Sequence, residues 1–132
     1  MTPHRCLIAA ALAATTLAGC AQTAPEPESQ RLAREMRELV GPAACTDDGQ
    51  CRSLPVGAKA CGGPAGYLAW STQGTDEKRL AGLAARQAEA QRREIEAAGL
   101  RSNCALVTDP GAACMASRCQ LRPAAGPRSG AS

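Results

Sequence analysis

The chain has 132 residues, with 15 Lys or Arg against 12 Asp or Glu, a formal net charge of +3, one Tyr, one Trp and no Phe. So small a positive charge with so few aromatic rings gives no electrostatic or base-stacking basis for binding nucleic acid. Hydrophobic residues make up 45% of the chain, but 29 of them are alanines. Large apolar side chains are therefore scarce, and a small domain needs a further source of stability.

The first 19 residues have the pattern of an export signal. Arg5 supplies positive charge, and the 14 residues that follow, 6–19, carry none. This run is shorter than the about 20 residues of a membrane-spanning helix and suits the apolar region of a signal peptide. The stretch Leu17-Ala18-Gly19-Cys20 resembles the lipobox of bacterial lipoproteins. The alternative is an ordinary signal peptide cut near Ala18.

The lipobox resemblance implies cleavage before Cys20, a diacylglycerol on its thiol, and an acyl chain such as palmitate on the new amine. Two or three acyl chains hold a protein on a membrane durably. Ala21, rather than Asp, follows the cysteine, which by the same resemblance favours the outer membrane, facing the periplasm. The chain then divides into four parts: a signal peptide at 1–19, a lipid-anchored flexible spacer at 20–28, a cysteine-rich domain at 29–121 and a disordered tail at 122–132.

The first element after the spacer is predicted to be a helix over residues 29–40. Its apolar residues recur at the spacing of one helix face, and they are Leu32, Met36, Leu39 and Val40. Ser29 is the expected N-cap, and Gly41-Pro42 is the expected stop.

Residues 45–71 predict turns and one short strand. Asp48-Gly49 is a tight-turn signal, and residues 50–56 alternate as in a strand, with Pro55 indicating an edge or a bulge. The glycine-rich stretch around Cys61 lacks the spacing of a phosphate loop. It is the candidate binding loop together with the scarce aromatic residues; the candidates are Gly62, Gly63, Pro64, Tyr67 and Trp70. The alternatives are that the loop is folded under the long helix and that the two rings belong to the core, which is the commoner place for such rings.

A long helix is predicted over 76–98, capped by Thr75 or Asp76 and ended by Gly99. After it, residues 104–108 predict the start of a strand, Asp109-Pro110-Gly111 a turn, and residues 114–122 a last strand or hairpin half. The expected fold class is α+β: a short antiparallel sheet of about three strands packed on one long helix, with the N-terminal helix beside it.

Cys6 leaves with the signal and Cys20 receives the lipid. Six cysteines then remain, an even number in a small exported chain, which predicts three disulfides. They are Cys45, Cys51, Cys61, Cys104, Cys114 and Cys119. The sequence leaves 15 pairings open. No C-x₂-C pair occurs and the one histidine, His4, leaves with the signal, so we expect no metal and no cofactor.

Residues 45–119 also resemble a small cysteine-rich module of exported proteins and lipoproteins of proteobacteria. The resemblance depends most on the stretch GAKACGGP, residues 57–64. It implies that the six cysteines act as a set, and it carries no catalytic residues with it.

The expected function is that of a non-catalytic lipoprotein, anchored to the membrane through its lipid, that binds a protein or another envelope component. One alternative is a protease-inhibitor-like module, since inhibitors present a loop braced by a disulfide. Another is a thiol–disulfide redox protein that uses Cys114 and Cys119. Catalysis by acid and base is not expected, because the chain has no histidine after cleavage and its one acidic doublet, Asp47-Asp48, is explained by a turn.

Overall fold

The computed structural model describes residues 24–124. The predicted signal peptide, Cys20 and the tail beyond residue 124 lie outside this range. The elements, in chain order, are helix α1 (Glu28–Val40), a 3-10 turn (Asp48–Gln50), strands β1 (Cys51–Val56) and β2 (Gly66–Ser71), helix α2 (Glu77–Ala98), and strands β3 (Ala112–Met115) and β4 (Arg118–Leu121). Neither helix in this range is long and apolar enough to cross a membrane.

Helix α1 buries the predicted apolar face, with Leu32, Met36 and Val40 in the core. Its predicted N-cap is wrong, because the helix begins one residue earlier and Pro27 takes that position. Ser29 lies instead in the first turn, where backbone N–H groups have no partner within the helix. Its N–H donates to Glu94 Oε1 at 3.0 Å, and its hydroxyl donates to Glu94 Oε2. The Glu94 side chain of α2 therefore caps the N-terminal turn of α1.

Helix α2 begins and ends as its sequence predicts. The Asp76 carboxylate accepts a hydrogen bond from the Arg79 N–H at 2.9 Å, and Gly99 ends the helix in the left-handed conformation at φ 62°. Leu80, Leu83 and Ala84 are buried. They pack mainly against α1, so the two helices form a pair beside the strands.

The strands form two separate antiparallel hairpins. In one, β1 pairs with β2 from Cys51↔Ser71 to Val56↔Gly66; in the other, β3 pairs with β4 from Ala112↔Leu121 to Met115↔Arg118. The hairpins lie against each other without a shared ladder. The α+β class is confirmed, but the prediction of one sheet of about three strands is wrong.

The prediction did not include β2, and it read the hairpin of β3 and β4 as a single last strand or hairpin half. It also placed a strand at residues 104–108, which form none. Between residues 101 and 110 no backbone group bonds to another backbone group of the described chain. Cys104 has φ 56°, outside the β region of the backbone map. The segment has apolar residues with strand propensity, but a strand also needs a paired neighbour, and no strand of either hairpin pairs with this segment.

The prediction of three disulfides is confirmed. Cys45 bonds to Cys114, Cys51 to Cys119, and Cys61 to Cys104, with Cα–Cα distances of 5.9, 5.3 and 5.5 Å. Each bridge joins a residue before α2 to a residue after it. Disulfides typically contribute 2–4 kcal/mol each, so they supply what the scarce large side chains cannot.

The core lies between the helix pair and the hairpins. It combines a few large apolar side chains with three of the bridged cysteines. Its members include Leu32, Met36, Val40, Cys45, Cys51, Trp70, Leu80, Leu83 and Cys119.

Candidate functional site

The predicted glycine-rich binding loop is an exposed turn. Gly62 and Gly63 have φ 91° and 77°, and a Cβ at either position would meet no atom within 4 Å. The Gly62 N–H donates to the Lys59 carbonyl at 3.0 Å, and the Lys59 N–H donates to the Gly63 carbonyl at 3.2 Å. Glycine is needed at these positions for its positive φ. Pro64 is half-buried beside this turn.

Trp70 does not belong to this surface, and its assignment to the binding loop is wrong. Its side chain is only 4% exposed and sits in the core. Tyr67 and Trp70 are three residues apart on β2, and side chains an odd number of positions apart lie on opposite faces of a strand. Tyr67 is half-buried on the other face, so it remains a candidate.

The glycine-rich turn is covalently joined to the irregular segment after α2 by Cys61–Cys104, in which both cysteines are exposed. We call residues 104–109 the braced segment. Its first residue is fixed by this bridge. Its last residue, Asp109, accepts a hydrogen bond from the Ser53 hydroxyl of β1 at 2.7 Å and another from the Gly111 N–H at 2.7 Å.

Two side chains of the first hairpin also hold the middle of the braced segment. The Lys59 ammonium donates to the Ala105 carbonyl. The Tyr67 hydroxyl donates to the Val107 carbonyl at 3.4 Å. The segment thus has fixed ends and two fixed carbonyls although it belongs to no sheet.

Leu106, between those two carbonyls, is the most exposed large apolar side chain of the described chain, at 92%. Within residues 24–124, neither its N–H nor its C=O has a hydrogen-bond partner. If a partner buried this side chain completely, the free energy of binding would gain about 2 kcal/mol. Leu106 therefore offers a free side chain and a free peptide group to a partner.

An open groove of about 880 Å³ runs beside the segment. Apolar atoms make up most of its surface. The residues that line it include Gly66, Tyr67, Val107, Pro110, Leu121 and Pro123.

Helix α2 supports this arrangement through two glutamines in the polar middle of its buried stripe. Gln87 Oε1 accepts from the Gly57 N–H at 2.8 Å, and Gln91 Oε1 accepts from the Ala58 N–H at 2.9 Å. These bonds hold the connection that carries Lys59 and Cys61. Gly57 has φ 72°, and a Cβ there would lie 2.5 Å from Gln91 Oε1, so no larger residue fits.

The other bridges form a compact sulfur cluster in the core. The Sγ atoms of Cys45, Cys51 and Cys119 lie within 4.8 Å of one another. A metal would require them as thiolates, and all three are in disulfides. Cys114 and Cys119 are opposite each other on β3 and β4, but they bond to Cys45 and Cys51. The Cys114–Cys119 pair of the redox alternative is therefore wrong.

Several charged groups help to hold the fold. Asp48 of the acidic doublet accepts from the Cys114 N–H at 2.8 Å. The pKa of the Glu94 carboxyl is lowered by the hydrogen bonds from Ser29, and that of Glu89 by its hydrogen bond to Arg92. Both glutamates lie on α2, away from the braced segment.

No protein-family model, curated protein or solved structure matches this chain. Function must therefore be inferred from its own residues. The sequence singled out the glycine-rich turn, to which the braced segment is bonded, but it did not single out Leu106, Lys59 or Ser53. The only available signal was an apolar pair close after Cys104, and the same signal is also typical of a strand.

Proposed function

We propose that the protein is a membrane-anchored bacterial lipoprotein whose disulfide-stapled domain is non-catalytic and binds a protein of the cell envelope. The lipid is attached at Cys20, and the domain faces the periplasm from the outer membrane. The lipobox and the residue after it support the anchor and its location. The braced segment supports the binding role, and the exposure of Leu106 at 92% is the observation that carries it.

The short spacer limits where such a partner can lie. Helix α1 begins at Glu28, so eight residues, 20–27, separate the lipid from the domain. A fully extended chain spans about 3.5 Å per residue, which places the start of α1 within about 28 Å of the anchor. The partner is therefore a membrane protein or a protein that works close to the membrane surface.

The anchor is tested by the intact mass and the membrane partition of the protein made in a Gram-negative host. The expected mass starts at Cys20 and includes acyl chains. Cys20→Ala is the matched variant, because it changes only the thiol that receives the lipid. It should move to the water-soluble fraction. A wild-type chain that is already water-soluble, or cut elsewhere, contradicts the anchor.

The binding role is tested in the same host with a photoreactive amino acid at Leu106. The control position is Ala97 on the exposed face of α2. Cross-linking to one defined envelope protein from position 106, but not from 97, is the expected result. Equal cross-linking from both positions, or none from 106, contradicts binding through the braced segment.

A further inference from the structure

We infer that the braced segment is a substrate-like loop that occupies and inhibits the active-site cleft of a serine endopeptidase, with Leu106 as the residue before the target peptide bond. This inference rests on the proposed function, since it names the class of the binding partner. It also replaces the glycine-rich turn as the contact loop, because that turn serves here as the support to which the braced segment is bonded.

The braced segment leaves free the groups that a serine endopeptidase binds. A serine endopeptidase takes one side chain into its specificity pocket and the carbonyl oxygen of the same residue into its oxyanion hole. Leu106 has both groups free, as well as its N–H. The carbonyls on either side of it, those of Ala105 and Val107, are held by Lys59 and Tyr67. The free groups are those that such a cleft binds.

The braced segment is also held rigidly. A flexible loop would lose conformational entropy when it binds, whereas a loop already held in place loses little. The braced segment is fixed by Cys61–Cys104 at one end and by Ser53 and Asp109 at the other. A rigid loop also resists the distortion that moves a bound substrate toward the transition state.

Disulfides hold the chain on both sides of the bond between Leu106 and Val107. In the reaction, the serine oxygen attacks the Leu106 carbonyl carbon, the bond to the Val107 nitrogen breaks, and the serine proton passes through histidine to that nitrogen. Water then releases the acyl group. Here the Leu106 side stays attached through Cys61–Cys104, and the Val107 side through β3, which Cys45–Cys114 holds.

The new ends would therefore remain next to each other. The amine on Val107 can attack the acyl-enzyme and restore the peptide bond before water intervenes. Because the amine is held next to the acyl-enzyme, its effective concentration there is very high. A loop with free ends would instead be cut and released as an ordinary substrate.

The inference favours an enzyme with an apolar specificity pocket, because Leu106 is uncharged. The probes are chymotrypsin, which has such a pocket, and trypsin, whose pocket carries an aspartate. Detergent-extracted, full-length lipoprotein is titrated against each enzyme with a small chromogenic substrate. Wild type should inhibit chymotrypsin and leave trypsin active.

Leu106→Arg should reverse this preference, with at least about 100-fold weaker inhibition of chymotrypsin and a comparable gain against trypsin, as expected for a central contact residue. Leu100→Arg is the matched control. It makes the same chemical change at a leucine that is 61% exposed and lies outside the braced segment. It should therefore leave the inhibition constants for chymotrypsin and for trypsin unchanged. Both substitutions replace exposed side chains, so folding is preserved.

The mass of the recovered protein gives a second readout. Any slow cleavage should add one water at 106–107 and leave a single molecule until the disulfides are reduced. Cys61→Ala with Cys104→Ala should turn the inhibitor into a rapidly cut substrate. Rapid cleavage of wild type without inhibition overturns the inference, and so does the absence of inhibition of chymotrypsin. Neither result affects the Cys20 anchor or the cross-linking test, so the two proposals fail separately.

Discussion

The buried bridges and the exposed bridge of this molecule hold very different kinds of structure. Cys51–Cys119 connects strands β1 and β4, and Cys45–Cys114 connects the stretch after α1 to strand β3. Both bridges belong to or pack against the same apolar cluster as Leu32 and Trp70. Cys61–Cys104 connects two irregular loops, and both of its cysteines are exposed. In the first region, packing, backbone ladders and covalent bonds reinforce one another. In the second, the bridge and a few side-chain hydrogen bonds act without a ladder.

The difference shows how a chain with few large side chains can still present a defined surface. The buried bridges strengthen a small core that would otherwise be weak. The exposed bridge gives a fixed conformation to residues that leave their backbone groups unpaired, which a sheet could not do. We therefore expect the buried region to determine stability and the exposed region to determine binding.

The largest effect is expected from removal of a buried bridge. Cys51→Ala with Cys119→Ala should lower the free energy of unfolding by about 4 kcal/mol, because both the loop closure and the packing of two buried sulfurs are lost. Urea unfolding followed by circular dichroism measures this change. Cys61→Ala with Cys104→Ala is the matched control. A loss in the control as large as that in the buried pair would contradict the comparison.

The exposed bridge should open first under mild reductant, since its sulfurs can be attacked without unfolding. A thiol-blocking reagent with mass readout should then label two cysteines, Cys61 and Cys104, while helicity is unchanged. The other four should react only when the domain unfolds, because Cys45, Cys51 and Cys119 are buried. Simultaneous labelling of all six would show that no difference in accessibility exists.

A smaller effect is expected at Gly57, where the buried glutamines of α2 meet the connection to the exposed bridge. Gly57→Ala should lower the free energy of unfolding by about 2 kcal/mol, because alanine is strained at the positive φ and its Cβ clashes with Gln91 Oε1. Gly63→Ala has a similar φ and open space, so it should lose only about 1 kcal/mol. Thermal and urea unfolding of the two variants, side by side, separate the clash from the backbone strain.

The smallest effect is expected at Glu94, in the contact between the helices. Hydrogen bonds from Ser29 lower the pKa of this carboxyl. A lowered pKa in the folded state gives stability that is present above the ordinary carboxyl range and is lost as the pH falls through the lowered value. Between about pH 5 and about pH 3, the Tm of wild type should therefore fall further than the Tm of Glu94→Gln. Parallel losses in the two proteins would contradict this role of Glu94.

The sequence predicted those features of the fold that depend on residues close together along the chain. Both helices followed from the spacing of residues such as Leu32 and Leu80, and the end of α2 from Gly99. The number of bridges followed from the cysteine count. Their pairing did not, because it depends on which strands meet in space, and no local pattern distinguishes Cys114–Cys119 from Cys45–Cys114.

The candidate site was predicted only in part for the same reason. The glycines at 62 and 63 indicate an exposed turn by themselves. The exposure of Leu106, in contrast, depends on the absence of a partner strand, and the burial of Trp70 depends on which face of β2 meets α1 and α2. Both are long-range properties of the fold.

The arrangement of the bridges across α2 has a consequence for how the chain matures. Cys45, Cys51 and Cys61 all precede the helix, and each finds its partner after it. In a chain that is exported from its N-terminus, three thiols enter an oxidising compartment before any native partner has followed. Oxidation in order of arrival would join the wrong cysteines, such as Cys45 with Cys51. For the export that we propose, correct maturation would then depend on thiol–disulfide exchange, which takes seconds to hours, and an isomerase should limit the yield of native protein more than an oxidase does.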